Sequence, residues 1–381
     1  MRGWRVGTLG GIAIEINYTW LFLFVLLTGS LSDLLKSAQG GLEPWIYYAA
    51  GAVTTLLFLA SVLTHEMCHS LVARALGMRV SRITLFIFGG VSQIEEEPRT
   101  ARIELLMTIV GPGSSAVLGV FFWGLSWLGS HQLGWPGLAT GALQFIGKIN
   151  LALAVFNLVP GFPLDGGRVL RSILWSAWQD EYRATKVAAR CGMGLGGLMI
   201  ALGGADLLVP GFAQMFPPWL QGGLWYLFLG WIILSAARQS AGMNEFKFML
   251  QGLQAGQVMQ WPLVSIPESM RLSDALHNLT PTGTQPLYPV VDENGKAVGV
   301  LDQQSVARVT AEQWPQLSVA QVMSPLQPET EIHAEDPVGD ALQRLAGSGQ
   351  GWLLVISPEN KPVGLVTEQS IMAAMGRRKG K

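Results

Sequence analysis

Charged residues are scarce in this sequence. Asp, Glu, Lys and Arg make up only 13% of its 381 residues, whereas 50% of the residues are hydrophobic. That proportion is too apolar for an ordinary soluble protein. The long uncharged runs lie before about Gly252, and the remaining residues have a normal polar content. The sequence therefore predicts a membrane domain followed by a soluble domain.

Cysteines and basic clusters are also few. The two cysteines, Cys68 and Cys191, fall within apolar segments and cannot form the disulfide framework of a small secreted domain. The formal net charge is −1 and the one basic run is Arg377-Arg378-Lys379, so we expect no nucleic-acid partner. The first 17 residues lack the apolar core and cleavage site of a signal peptide. We expect the first membrane helix to stay attached.

Six apolar stretches are long enough to cross a bilayer of about 30 Å. They are Tyr18–Leu35, Trp45–Leu76, Ile103–Leu128, Gly141–Leu158, Val187–Leu208 and Trp219–Ala236. When these six spans alternate, nearly all arginines and lysines between them fall on one side, and Lys36 is nearly alone on the other. We therefore expect a multi-pass integral protein of the plasma membrane with both termini in the cytoplasm.

Two segments outside the spans are predicted to be strands. Arg79–Ile94 is rich in β-branched and aromatic residues, and Arg5–Asn17 contains two short β-like runs around a Gly10-Gly11 turn. Because unpaired strands cannot lie bare in lipid, they should pair with each other near the cytoplasmic face or inside the protein. A free edge of this small sheet could accept another chain.

The second span carries the pattern H-E-x-x-H. Its histidines, His65 and His69, are four residues apart and project from one face of a helix, where both can bind one tetrahedral metal ion. Glu66 can take a proton from metal-bound water, whose pKa the metal lowers to about 7, and pass it to a leaving amide nitrogen. Zinc fits nitrogen and oxygen ligands without redox chemistry.

The alternative is that this short pattern arose by chance, as it does in soluble helices. Its location argues against chance, because ionisable residues inside a span are costly and mark functional sites. Of the five histidines in the chain, His65 and His69 are the two that lie within predicted spans.

A third metal ligand must come from elsewhere, since catalytic zinc is usually held by three protein side chains. The fourth span ends in Asn157–Arg168, N-L-V-P-G-F-P-L-D-G-G-R, which presents Asp165 where two prolines break the helix. An ordinary Asp-Gly turn at a cytoplasmic helix end is the alternative. Both motifs lie towards the cytoplasmic ends of their spans, so they should lie at a similar depth.

Together, the two motifs resemble those of the site-2 protease family of intramembrane zinc metalloproteases, over about residues 1–240. The resemblance implies that His65, His69 and Asp165 bind one zinc ion and that Glu66 is the general base. It also implies that Asn157 assists substrate binding or the oxyanion, although that side chain could instead stabilise the bent helix. The implied substrate is a membrane-tethered regulator, such as an anti-sigma factor or the membrane-bound precursor of a transcription regulator.

The C-terminal part contains an internal repeat with a period of about 64 residues. Gln257-Val258-Met259 recurs as Gln321-Val322-Met323, and each copy continues into an α/β unit that closes on Gly299-Val300-Leu301 or Gly364-Leu365-Val366. The two repeats, over about residues 255–376, resemble a tandem pair of CBS domains, a regulatory module that commonly binds adenine nucleotides.

The nucleotide signature of that family is only partly kept. Its usual ending is Gly-x-x-Thr/Ser-x-x-Asp, with the hydroxyl serving phosphate and the carboxylate serving ribose. Thr367 fits, but Ser305 and Ser370 occupy the aspartate positions. Two roles therefore stay open: an adenine nucleotide site at Thr367, or a structural pair that forms a homodimer.

The predicted fold is a multi-pass α-helical membrane protein with about six spans and a small membrane-associated β-sheet, followed by a soluble α/β tandem CBS domain. We assign residues 1–240 to the protease domain, 241–254 to a linker and 255–381 to the CBS pair, divided into 255–318 and 319–376. The predicted activity is hydrolysis of a peptide bond in or near a transmembrane segment of a membrane-protein substrate.

Two other functions are less consistent with the sequence. A CBS-gated transporter or channel would show inverted repeats or polar residues at mid-membrane in several spans, and the sequence has neither. An inert binding protein would not require Glu66.

Overall fold

The computed structural model describes residues 3–86, 89–209, 212, 222–279 and 287–379. The chain divides into two compact units, Met1–Asn244 and Glu245–Lys381.

The first unit combines a small sheet with long helices. Its elements are β1 (Trp4–Leu9), β2 (Ile12–Ile16), α1 (Tyr18–Ala38), α2 (Pro44–Ala75), β3 (Val80–Phe86), β4 (Gly89–Ile94), α3 (Ala101–His131), α4 (Gly137–Asn157), α5 (Asp165–Trp178), α6 (Glu181–Leu208) and α7 (Gly223–Leu250). Within the described ranges, five helices are long and apolar enough to cross a membrane: α1, α2, α3, α4 and α6. The predicted sixth span, Trp219–Ala236, begins among residues 213–221, outside the described residues, and continues in α7.

The predicted strands form one four-stranded sheet in the order β1-β2-β3-β4. The β1–β2 and β3–β4 pairs are antiparallel hairpins, and β2 joins β3 in parallel. Gly10 and Gly11 have positive φ angles of 57° and 78°, as a tight hairpin turn requires. Buried sheet residues, including Ile12 and Ile83, pack against Met67 of α2. The sheet is thus fixed to the turn of α2 that carries H-E-x-x-H.

The fourth predicted span ends where its prolines predict. Helix α4 ends at Asn157, and α5 begins at Asp165 after a turn that contains Pro160 and Pro163. The amide of Phe162 in this turn donates to the carbonyl of Ala188 in α6, at 3.2 Å. The break in the helix is confirmed, and it places Asp165 in the first turn of a new helix.

The second unit contains the predicted repeat. Its elements are α8 (Ala255–Val258), β5 (Ile266–Pro267), α9 (Leu272–Leu279), β6 (Leu287–Val291), β7 (Ala297–Asp302), α10 (Gln303–Val306), α11 (Val319–Val322), β8 (Ser324–Pro325), β9 (Glu331–His333), α12 (Val338–Ser348), β10 (Trp352–Ile356), β11 (Pro362–Thr367) and α13 (Glu368–Lys379), with short 3-10 turns at Ala311–Gln313 and Pro328–Thr330. Residues 241–250 of the predicted linker are helical, as the end of α7.

The two repeats of this unit form similar sheets. The first segment of each repeat packs against the sheet of the other repeat. One sheet has the order β5-β6-β7-β8 and the other β11-β10-β9. Met259, from the first repeat, packs against Gly364 of the second, and Met323, from the second repeat, packs against Gly299 of the first. A buried apolar cluster that includes Leu287 joins the two sheets. The repeated Gln-Val-Met motifs therefore hold the pair together.

Candidate metal centre

Helix α2 brings the two histidines of H-E-x-x-H to one buried face. His65 and His69 are 5% and 7% exposed, and their Nε2 atoms lie 3.2 Å apart. Nitrogen atoms this close face a common point, as the four-residue spacing predicts.

Asp165, from the start of α5, completes a compact triangle with these histidines. Its Oδ2 atom lies 3.2 Å from Nε2 of His65 and 3.2 Å from Nε2 of His69. Ligand atoms about 2.0–2.1 Å from a tetrahedral zinc ion are separated by about 3.3 Å. The triangle therefore fits one face of a zinc tetrahedron and leaves the fourth position open. The structure thus brings together the three predicted ligands.

Hydrogen bonds on the far side of each ring fix which nitrogen can bind a metal. Nδ1 of His69 donates to the carbonyl of Met107 at 2.8 Å, and Nδ1 of His65 lies 2.9 Å from Oγ of buried Ser115. A carbonyl only accepts, so Nδ1 of His69 carries a proton, and in the neutral ring Nε2 is then the nitrogen with the lone pair that can bind a metal. With His65 donating to Ser115, both neutral rings would present Nε2 to the point that Oδ2 of Asp165 also faces, an arrangement that a cation would stabilise.

Both of these partners, and the space for the rings, come from α3. A Cβ atom on Gly111 would lie 2.1 Å from Nε2 of His69 and 2.8 Å from Nε2 of His65. Any larger residue would therefore displace the imidazoles. No local pattern points to Met107 and Ser115, and the Gly-Pro-Gly run at residues 111–113 is the one signal that could have indicated a close approach at this helix.

Glu66 is held by the edge strand β4. Its Oε2 atom accepts a 2.8 Å hydrogen bond from Ser92, whose hydroxyl lies 3.0 Å from that of Ser70. A Cβ atom on Gly90 of the same strand would lie 2.4 Å from Cγ of Glu66. The strand thus touches the side chain that is predicted to be the general base.

Asn157 is less closely tied to the centre. It is the half-buried last residue of α4. Among the described residues its side-chain amide has no hydrogen-bond partner, so its role in substrate or oxyanion binding stays a prediction.

The hydroxyl of Thr367 is used within its own repeat. It accepts the 3.1 Å hydrogen bond of the Ser370 amide, and Oγ of Ser370 in turn donates to the Thr367 carbonyl at 2.9 Å. Asp302 occupies the corresponding position in the first repeat and accepts from the Ser305 amide at 2.7 Å. Both residues cap the helix that follows them, and nucleotide binding at Thr367 stays a prediction.

Comparison with known proteins agrees with both halves of the chain. The family described as "Peptidase family M50" matches residues 53–134 and 135–199. The family described as "CBS domain" matches residues 255–312 and 319–377. A Synechocystis protein named as a zinc metalloprotease is 34% identical over 97% of this chain and 95% of its own length. A Mycobacterium tuberculosis protein with the same description is 29% identical over 96% of this chain and 91% of its own.

Among solved structures, a site-2 protease from Methanocaldococcus jannaschii is 27% identical in sequence to this chain, with a TM-score of 0.42. The match covers 63% of this chain and 95% of that protein's chain. The sequence relationship to the Synechocystis protein extends over nearly the whole of both chains. The membrane unit also has five helices able to span a bilayer among its described residues. The chain therefore belongs to peptidase family M50, the site-2 protease family of membrane zinc metalloproteases, and carries a tandem pair of CBS domains.

Proposed function

We propose that this protein is an intramembrane endopeptidase that cuts a peptide bond in or near a transmembrane segment of a membrane-tethered substrate. The protease domain would comprise residues 1–240, with His65, His69 and Asp165 holding one zinc ion per chain. The observation that carries this proposal is the triangle of two imidazole nitrogens and one carboxylate oxygen, with sides of 3.2 Å. Three acceptor atoms that face one another are stabilised by a shared cation.

Glu66 would act as the general base. When bound, zinc would supply Lewis-acid activation of water and of the scissile carbonyl. The carboxylate of Glu66 would take a proton from the attacking water as the new C–O bond forms, and would then deliver it to the nitrogen so that the C–N bond breaks and the amine leaves. The hydrogen bond from Ser92 would fix the direction of the carboxylate. Asn157 would assist substrate or oxyanion binding.

The edge strand β4 would present the substrate to Glu66. A transmembrane helix must unwind before cleavage, because its amides are engaged in internal hydrogen bonds. Within the described sheet β4 has a neighbour on one side only, and its residues Gly90 and Ser92 touch Glu66. An extended substrate segment that adds to this edge would run past the general base. By family analogy, the substrate would be an anti-sigma factor or a membrane-bound transcription regulator precursor.

The CBS pair would regulate or dimerise the protease. Residues 241–254 would link it to the membrane domain, and residues 255–318 and 319–376 would form its two repeats. We also propose a plasma-membrane location with both termini in the cytoplasm, since the loop arginines favour that orientation. An adenine nucleotide at Thr367 and a homodimer through this pair are the two forms that such regulation could take.

A pair of variants tests the proposed chemistry. Glu66→Gln should keep the zinc of the full-length protein and lose cleavage, whereas His65→Ala should lose both. Zinc is measured by elemental analysis of the purified protein, and cleavage by mapping new peptide termini in membranes that contain wild-type or variant protein. If the same fragments form with Glu66→Gln, the general-base mechanism is wrong.

A further inference from the structure

One face of α3 contacts both histidines of the candidate metal centre. Met107 and Ser115 hold the two histidine rings, and Gly111 between them makes room for both. One turn before Met107 lies Glu104, and the spacing 104, 107, 111 and 115 follows a single helical stripe. Three residues of this stripe therefore contact the histidines, and the fourth, Glu104, lies on the same face of α3.

Glu104 is a charged residue that is entirely buried. Its carboxylate is 0% exposed and forms a two-pronged ion pair with Arg171 of α5, whose Nε atom lies 2.9 Å from both carboxylate oxygens and whose terminal Nη2 atom also contacts Oε1. Bidentate geometry of this kind fixes direction as well as distance. A buried pair contributes little net stability because desolvation of two charges offsets their attraction, so its value lies in geometry.

The same carboxylate contacts α5 at two arginines that follow Asp165. Arg168 and Arg171 follow Asp165 in the one helix α5, and the Nε atom of Arg168 lies 3.9 Å from Oε1 of Glu104. The guanidinium of Arg171 also lies 5.6 Å from the ring of Phe162, in the turn that leads into Asp165. Glu104 therefore ties α5 to α3, and its partner Arg171 contacts the turn that precedes α5.

Asp165 depends on this support more than the histidines do. Each histidine has a second hydrogen bond that orients its ring, but in the described part of the chain the carboxylate of Asp165 contacts only the two imidazoles. Its position must then be set by the helix that carries it. A displacement of about 1 Å would remove it from a zinc shell with bonds near 2.0 Å.

We propose that the Glu104–Arg171 ion pair is a positioning device that sets the place of α5 and so holds Asp165 at the metal. This inference rests on the proposed function, because it takes Asp165 as a metal ligand. Glu104 and Arg171 touch neither the metal triangle nor the general base, and they act through the helix.

The test measures metal binding by the purified full-length protein in detergent, independently of cleavage. The variants are Glu104→Gln, the double change Glu104→Gln/Arg171→Gln, and the control Glu15→Gln, which breaks the 3.2 Å ion pair of Glu15 with Arg82 in the sheet. Chelator competition gives the zinc dissociation constant, the visible spectrum of the cobalt form reports ligand geometry, and thermal unfolding reports stability.

We expect Glu104→Gln to weaken zinc binding by about 10–100-fold, as loss of a supporting contact typically does, and to change the cobalt spectrum. The double variant should regain thermal stability, because no unpaired buried charge remains, but not zinc affinity. Glu15→Gln should match wild type in both. A purely structural ion pair predicts instead that zinc affinity recovers along with stability in the double variant.

Wild-type zinc affinity and an unchanged cobalt spectrum in Glu104→Gln would overturn the positioning role while leaving the proposed function intact. If zinc binding survives His65→Ala, the metal site itself is wrong, so the two failures can be told apart.

Discussion

The metal centre and the CBS repeats use polar residues in opposite ways. At the metal centre, atoms of three side chains with available lone pairs converge. In the CBS repeats, the candidate nucleotide-binding residue Thr367 and its counterpart Asp302 accept hydrogen bonds from the helices that follow them. The first arrangement calls for a cation, whereas the second is complete without a ligand. Convergence of metal-ligating atoms on one point is thus a sharper sign of a binding site than the presence of the right residue types.

The largest effect should come from removing Asp165, the third corner of the triangle. Asp165→Ala should reduce zinc from about one per chain to near zero and abolish cleavage, because two imidazoles alone leave the metal under-coordinated. Elemental analysis of the purified protein measures this loss. Asp33→Ala, which changes an exposed aspartate of α1, is the matched control and should retain zinc. Full zinc content in Asp165→Ala would break the comparison.

A nearly equal effect should come from Gly111. Gly111→Ala places a methyl group where the structure has the imidazoles, so zinc affinity should fall by at least about 10-fold, the lower range for loss of a supporting contact. Gly113→Ala, two residues later, would meet no atom within 4 Å and should behave as wild type. Chelator competition compares the two. Equal affinities would show that α3 is not the wall of the site.

A smaller effect, on rate and not on metal, should follow Ser92→Ala. Loss of its hydrogen bond to Glu66 should lower cleavage by about 10-fold, the value of a modest hydrogen bond to a charged group, while zinc content stays unchanged. Ser81→Ala changes an exposed hydroxyl of the neighbouring strand β3 and is the control. Loss of zinc in Ser92→Ala would mean that β4 supports the metal and not the base.

Features that depend on residues close together in the sequence could be predicted, whereas contacts between separate elements could not. His65, Glu66 and His69 follow from spacing within one helix, and the Gly10-Gly11 hairpin follows from local turn chemistry. Met107, Ser115 and Ser92 could not be found in this way, because packing between separate elements brings them to the site. The two β segments were expected to pair with each other, but the parallel arrangement of β2 and β3, which lie more than 60 residues apart, left no local trace.

Asp165 stands between these cases. Its turn was readable from two prolines and an Asp-Gly-Gly run, but its position beside the histidines is a tertiary result. The predicted linker shows the same limit, since nothing in residues 241–250 marked them as a continuation of α7.

The smallest effect should be in the CBS pair. Thr367→Ala should lower the free energy of opening α13 by about 1 kcal/mol, the usual value of a helix cap, whereas Thr367→Ser should be nearly neutral. Hydrogen exchange of α13 amides in the full-length protein measures this difference. Added AMP should not slow that exchange if the hydroxyl is committed to the cap. Protection by AMP that Thr367→Ala abolishes would favour the nucleotide role and remove the contrast with the metal centre.

X-ray absorption at the zinc edge of the purified full-length protein tests the central claim most directly. We expect nitrogen and oxygen neighbours at about 2.0–2.1 Å, two of them with the outer-shell signature of imidazole. A sulfur neighbour at about 2.3 Å would instead place Cys68, the half-buried residue before His69, in the shell and contradict the His65, His69 and Asp165 site.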